Sequence, residues 1–358
     1  MSKIRVGIIG TGFGAKVHAP MMKLHGGFEV VAISSVSRGN VDEVRNTSLV
    51  ESVYTDWKLM LRKEELDLVV VASAVHLHKE MVLAAYEKGV HVLCEKPMAF
   101  DTIETEEMIS VRDTAGKLGL INHEFRFLPA RSKVKEILES GSLGDITHIR
   151  YQASFANYSG LSTRSRGWLG QKETGGGMLG ALGSHMIDGL HWWTNSQFIE
   201  VFANLPIHVP TSTEADGTVE VRTADDGFQV MGTLTNGATV TLELISAARQ
   251  TKDTWRLEVF GENGTLVMLD DNKVFIGSGD AGLESVELAP EIKAPDEMPA
   301  VAARYYNGFN RMLDALQETL QNGLKHPYLA DFENGNTTQK VLDAVRVSHE
   351  EGRRVKVE

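Results

Sequence analysis

The stretch Lys3-Ile4-Arg5-Val6-Gly7-Ile8-Ile9-Gly10-Thr11-Gly12-Phe13-Gly14-Ala15 reads as a buried strand that breaks into a glycine-rich turn. In that reading Gly10 permits the tight turn and Gly12 lets the backbone approach a pyrophosphate. Ala15 takes the third small position, where the following helix packs on the strand. N–H groups at a helix start lack intrahelical acceptors and can hold phosphates. The plain alternative is an ordinary strand-to-helix turn, so the rest of the chain has to decide. Further strand candidates at Val30–Ser35, Leu66–Ala72 and His91–Cys94 alternate with helical patterns, clearest at Lys79–Lys88 and Thr102–Leu118. These helices end near Gly89 and Gly119, as helix C-termini often do. The alternation predicts a doubly wound parallel sheet. Pro20, well inside the expected first helix, removes an internal hydrogen bond and should kink the helix or end it early.

Beyond Gly119 the pattern changes. A helix near Ser132–Ser140 is followed by strands at Thr147–Phe155, Phe198–Leu205, Thr218–Arg222, Phe228–Leu234, Ala238–Ser246, Trp255–Phe260 and Gly264–Leu269. Asp226-Gly227, Asn236-Gly237 and Asn263-Gly264 lie between neighbouring runs and predict antiparallel hairpins. The chain returns to helix at Val301–Asn322 and Asp331–Glu351, after a connector marked by Pro295 and Pro299. The expected organisation is a Rossmann domain over residues 1–122 and an α+β domain over 123–358. The second carries an open-faced, largely antiparallel sheet, and its last helices pack back on the first domain.

Composition excludes several classes. A chain of 358 residues with 42% apolar residues is long enough for two cores. A formal net charge of -12 argues against nucleic-acid binding, which calls for a basic surface. No apolar run approaches the ~20 residues a membrane span needs, and the sequence enters a strand directly at Ile4 without a signal-peptide pattern. The expected location is the cytoplasm. The single cysteine, Cys94, lies in an apolar run and reads as a packed, inert thiol. His76 and His78 have no cysteine or acidic companions at ligand spacing, so no metal site is expected.

Two further motifs carry chemistry. Glu95-Lys96-Pro97 follows directly on the strand His91–Cys94, at the carboxyl end where ligands bind in open α/β sheets. A lysine there can hydrogen-bond a hydroxyl or polarise a carbonyl, although an isolated one is usually a solvated charge. The segment Gly175-Gly176-Gly177-Met178-Leu179-Gly180-Ala181-Leu182-Gly183-Ser184-His185-Met186-Ile187-Asp188 places many glycines around a helix start. Such a run implies close approach to a ligand or to another backbone.

With these motifs the chain resembles the glucose-fructose oxidoreductase/inositol dehydrogenase (Gfo/Idh/MocA) family over essentially its whole length. The marks are the glycine turn, Val75-His76-Leu77-His78, Glu95-Lys96-Pro97, Arg126 before Pro129, and the glycine segment ending in His185. The resemblance implies hydride transfer between NAD or NADP and a carbon bearing a sugar-like hydroxyl or carbonyl. Lys96 then touches substrate and nicotinamide ribose, and His185 is the acid/base. It also implies a homo-oligomer, dimer or tetramer, formed through the open sheet face. The cofactor set is Gly10, Gly12, Phe13, Gly14, Ala15, Ser35, Arg38, Ser73, His78, Glu95 and Lys96, with Arg126, Trp168 and Asp188 toward a small-molecule substrate.

One departure stands out. Many catalytic members carry an aspartate four residues before the histidine, where this chain has Ala181. Asp188, three residues after His185, shares a helix face with it and can orient it or serve as a cap or salt-bridge group. Two readings therefore stand. The first is an oxidoreductase acting on a sugar, polyol or related hydroxy/oxo compound, favoured by Lys96 and His185. The second is a non-catalytic NAD(P)-binding sensor, favoured by Ala181. A hydrolase or epimerase using tightly held NAD is a third outcome. NADP is expected over NAD, because the second strand ends Ser34-Ser35-Val36-Ser37-Arg38 without the acidic residue that hydrogen-bonds a ribose 2′-hydroxyl. His123 and Arg166 can meet substrate hydroxyls or make structural contacts, and Trp192-Trp193 reads as packing.

Overall fold

The structure, a computed structural model, describes residues 2–35, 41–279 and 282–358. It divides into two compact units. The first comprises residues 1–127 and 291–336, and the second comprises 128–290 and 337–358.

The first unit is built on strands β1 (Ile4–Ile9), β2 (Phe28–Ser34), β3 (Val53–Tyr54), β4 (Leu68–Val71), β5 (His91–Cys94) and β6 (Gly119–Ile121). They pair in parallel in the order β6-β5-β4-β1-β2-β3, and a short strand, Ala330–Asp331, adds antiparallel to β6. The order reverses between β1 and β4, the switch point at which doubly wound sheets bind ligands. The strands read as continuous apolar runs because helices cover both faces of the sheet. Ile9, Val69, Val71, Val92 and Cys94 pack with Met60, Met81, Val82 and Tyr86 on one face. Val6, Ile8, Leu68, Val70 and Leu93 pack on the other with Met21, Met22, Phe309, Leu313 and Leu316. The helix Tyr306–Asn322 thus supplies core that the first 127 residues do not hold.

Pro20 does not end the first helix, which runs on to His25. The chain leaves the glycine turn in a wide π-turn, Gly14–His18, closed by Ala19 N–H to Gly14 O, and the α-helix Ala19–His25 starts only there. Pro20 therefore falls in an α-helical first turn, where a missing N–H costs little.

The second unit holds a nine-stranded sheet. In spatial order its strands are Glu284–Val286, Lys273–Ser278, Gly264–Leu269, Trp255–Gly261, Ile146–Ser154, Thr239–Ile245, Gly227–Leu234, Phe198–Asn204 and Val355–Lys356. Neighbours pair antiparallel except Ile146–Ser154 with Thr239–Ile245, which are parallel. The expected turns at Asn236-Gly237 and Asn263-Gly264 join antiparallel partners. The turn at Asp226-Gly227 does not. The run before it forms Val219–Val221, which pairs only with Thr211–Thr213 in a separate two-stranded sheet. Asp226 instead accepts hydrogen bonds from the N–H groups of His208 and Val209, which redirects the chain.

Candidate functional site

In the first unit the glycine turn has three distinct tasks. Gly10 has φ +127°, and a Cβ there would sit 2.1 Å from the carbonyl oxygen of Ala72, just past β4. Only glycine permits that approach at that φ. A Cβ on Gly14 would press on Ile8 Cγ2 at 3.0 Å and Ala72 Cβ at 3.2 Å, so the close helix-to-strand packing falls on Gly14, with Ala15 buried beside it. A Cβ on Gly12 would meet nothing within 4 Å. The turn is therefore rigid on its protein side and open at Gly12, ahead of a helical start, which fits a dinucleotide's pyrophosphate. Phe13 is held edge-on by Tyr305 at 5.1 Å and by His18 at 5.5 Å between ring centroids.

At the neighbouring strand end, Glu95 N donates to Val71 O, and the peptide bond between Lys96 and Pro97 is cis. Lys96 itself is half-buried. The Glu95 carboxylate is buried. Its Oε1 lies 2.7 Å from His18 Nε2 and accepts from Asn122 Nδ2 at 2.7 Å, while Oε2 accepts from Lys96 N at 3.4 Å. Burial pushes this carboxyl up, but His18, Lys96 and Asn122 outweigh it and hold the group below the usual carboxylate range.

His78, expected at the cofactor, lies against the loops after β4 and β5. Its ring is buried, Nδ1 lies 3.2 Å from Pro97 O and 3.3 Å from Met98 O, and Nε2 lies 3.2 Å from Ser73 O. The ring lies between the loop after β4 and the loop after β5, and in its neutral form one nitrogen donates to a backbone carbonyl on one side. Burial lowers its pKa. Cys94 is buried against the same ring and burial pushes its thiol up, which leaves it inert. Arg126 is buried and donates to Tyr328 O at 3.4 Å. Ser35 is buried just past β2, and Arg38 lies outside the described residues.

In the second unit the glycine run approaches protein. A Cβ on Gly176 would stand 2.5 Å from Leu169 O, and one on Gly177 (φ +107°) would stand 2.1 Å from Asp225 Oδ1. Asp225 Oδ2 accepts the N–H of Leu179 at 2.8 Å, at the head of the π-turn Leu179–Gly183 that leads into the helix Ser184–Thr194. Burial pushes the Asp225 carboxyl up to about 6. Sequence reasoning missed this residue, because Asp225-Asp226-Gly227 reads as turn composition while each aspartate serves a different loop.

His185 and Asp188 are both buried on that helix, and Ala181 is half-buried within the π-turn. Trp168 is exposed, and the neighbouring Arg166 lies with Nη2 3.3 Å from Met178 Sδ. Trp193 donates to Arg131 O at 3.0 Å and Trp192 O accepts from Lys135 Nζ, so the tryptophan pair is packing. Among the described residues no group of three or more histidine, cysteine or acidic side chains is arranged for a metal ion, and no helix is long and apolar enough to cross a membrane.

Comparison with known proteins agrees with both units. Residues 4–123 match the oxidoreductase-family NAD-binding Rossmann fold of GFO/IDH/MocA, and residues 132–267 match the GFO/IDH/MocA C-terminal domain. The chain is 33% identical over 274 residues to an uncharacterized oxidoreductase of Synechocystis sp., covering 75% of this chain and 72% of that one. It is 31% identical to glucose-6-phosphate 3-dehydrogenase of Bacillus subtilis, covering 65% of each. Among solved structures, levoglucosan dehydrogenase in complex with NADH and L-sorbose superposes with a TM-score of 0.85 at 22% identity, over all of both chains.

Proposed function

Because the chain belongs to the Gfo/Idh/MocA family of oxidoreductases, we propose that it is an NAD(P)-dependent dehydrogenase or reductase acting on a CH–OH group of a sugar, polyol or related compound. The observation that carries this reading is the glycine turn, closed by protein at Gly10 and Gly14 and open at Gly12, beside the strand end that bears Lys96. Relatives named for dehydrogenation of glucose 6-phosphate, levoglucosan and myo-inositol support the substrate class.

The backbone from Gly10 to Ala15 would hold the pyrophosphate, and Ser35 and Ser73 would lie toward the riboses. A bound nicotinamide supplies exchange of hydride at the substrate carbon. Lys96 offsets the negative charge that grows on the substrate oxygen during reduction, and His185 delivers the proton to it. In oxidation the neutral imidazole removes that proton. Arg126, Trp168 and Asp188 remain candidates for holding the substrate. NADP is the preferred cofactor in this reading, supported by the absence of a carboxylate at Ser34–Ser35. We assign the enzyme to the cytoplasm, in keeping with its lone buried thiol. It assembles through the outer sheet face, where Phe202 and Met231 are exposed.

A screen of purified protein against sugars, inositols and ketones at 340 nm, with each cofactor, tests the reading. Turnover of at least one such compound is expected. Tight cofactor binding with no turnover across the panel overturns it in favour of a sensor, and tighter NAD than NADP binding overturns the cofactor preference.

A further inference from the structure

The contact between His18 and Glu95 joins two parts of the first unit that are 77 positions apart in sequence. His18 is the last residue of the π-turn that begins at Gly14, and Glu95 immediately precedes Lys96. The imidazole has no solvent exposure, and the rings of Phe13 and Phe309 stand edge-on to it at 5.5 and 5.0 Å and confine it. Glu95 is ionised, so His18 Nε2 donates to Oε1, as Asn122 Nδ2 does from the residue after β6. Oε2 is left toward the N–H of Lys96.

We propose that His18 is a positioning residue for Lys96, acting through Glu95: it anchors the carboxylate that holds the backbone and the charge of Lys96 at the strand end, in register with the glycine turn. Phe13 belongs to that turn and leans on His18, so the cofactor-facing backbone and the lysine share one rigid support. The Glu95 carboxylate also acts electrostatically on His78, Cys94 and Tyr305, and Tyr305 also senses Glu124 and Arg304. The inference rests on the proposed role of Lys96, but its test does not depend on turnover.

The test is trace acetylation of the full-length protein by acetic anhydride between pH 7 and 10, with the Lys96 peptide read by mass spectrometry in wild type, His18→Leu, His18→Gln and Glu95→Gln. Loss of a neighbouring anion favours the neutral, reactive amine. Glu95→Gln should therefore label Lys96 several-fold faster at pH 8. His18→Leu leaves Glu95 buried without its imidazole donor and should move labelling the same way, while the amide donor of His18→Gln restores much of the wild-type rate. Where a substrate is known, kcat in His18→Leu falls more than the cofactor Kd rises. Equal Lys96 labelling in wild type and Glu95→Gln, or in wild type and a folded His18→Leu, overturns the inference. If His18→Leu fails to fold, the isosteric Glu95→Gln and His18→Gln decide alone. A wild type without turnover overturns the proposed function, whereas the labelling rates still decide the role of His18.

Discussion

A β-carbon on Gly10 would lie 2.1 Å from the carbonyl oxygen of Ala72, and this clash makes the glycine turn as much a structural joint as a binding loop. Gly12, two residues on, has nothing within 4 Å of its own Cβ position. The two glycines therefore separate stability from binding. Gly10→Ala should lose about 2–4 kcal/mol, from backbone strain at φ +127° and displacement of the strand end. Gly12→Ala should keep the wild-type urea midpoint and weaken cofactor binding. Equal stability of both variants would show that the strand end yields without cost.

Lys96→Met and His185→Ala should each reduce kcat about 10²–10⁴-fold on whichever substrate the screen identifies, with cofactor binding and Tm retained. Ala181→Asp restores a carboxylate one helical turn before His185 and should raise turnover. Full activity in a folded His185→Ala protein would remove the imidazole from the chemistry.

Asp225 ties pH to stability. Its carboxyl lies at about 6, raised by burial from an ordinary 3.8, so the folded state binds the proton more tightly than the unfolded state does. The stability this contributes is fully present below about pH 4 and is lost as pH rises through about 6, to a total of about 3 kcal/mol. Asp225→Asn keeps an acceptor for Leu179 N–H without the buried charge. It should be more stable than wild type at pH 8, by about 1–3 kcal/mol, and should lose that advantage at pH 4. A stability difference that does not change with pH would refute this.

Arg131 is fully buried beneath Tyr151, Trp193 and Trp255, and its Nε and Nη2 each reach Asp271 at 2.9 Å. Arg131→Met leaves that carboxylate nearly buried without its cation, which costs about 3–5 kcal/mol. Arg131→Lys should recover only part of the loss, since an ammonium cannot bond bidentately. Urea unfolding followed by tryptophan fluorescence measures both, and a loss below about 1 kcal/mol for Arg131→Met would refute the assignment.

What could be read from the sequence was local. The apolar run Ile4–Ile9 breaking at Gly10, the alternation of strands and helices through Gly119, the two asparagine-glycine hairpins and the packing role of Trp192-Trp193 all depend on residues within a turn or two of each other. Backbone φ preference and side-chain periodicity act at that range. The last helices were expected to return to the first domain, but only the tertiary structure revealed which sheet face Tyr306–Asn322 covers and which core residues it meets there. An amphipathic helix declares that it buries a face but not which sheet receives it. The same holds for His18 on Glu95, His78 across two loops, Arg131 on Asp271 and Asp225 beneath Gly177. Each joins residues far apart in the chain, and a buried polar group takes whichever partner the strand order brings within about 3 Å. That choice is made when the sheets assemble, which is why the residue types were legible in the sequence and their pairings were not.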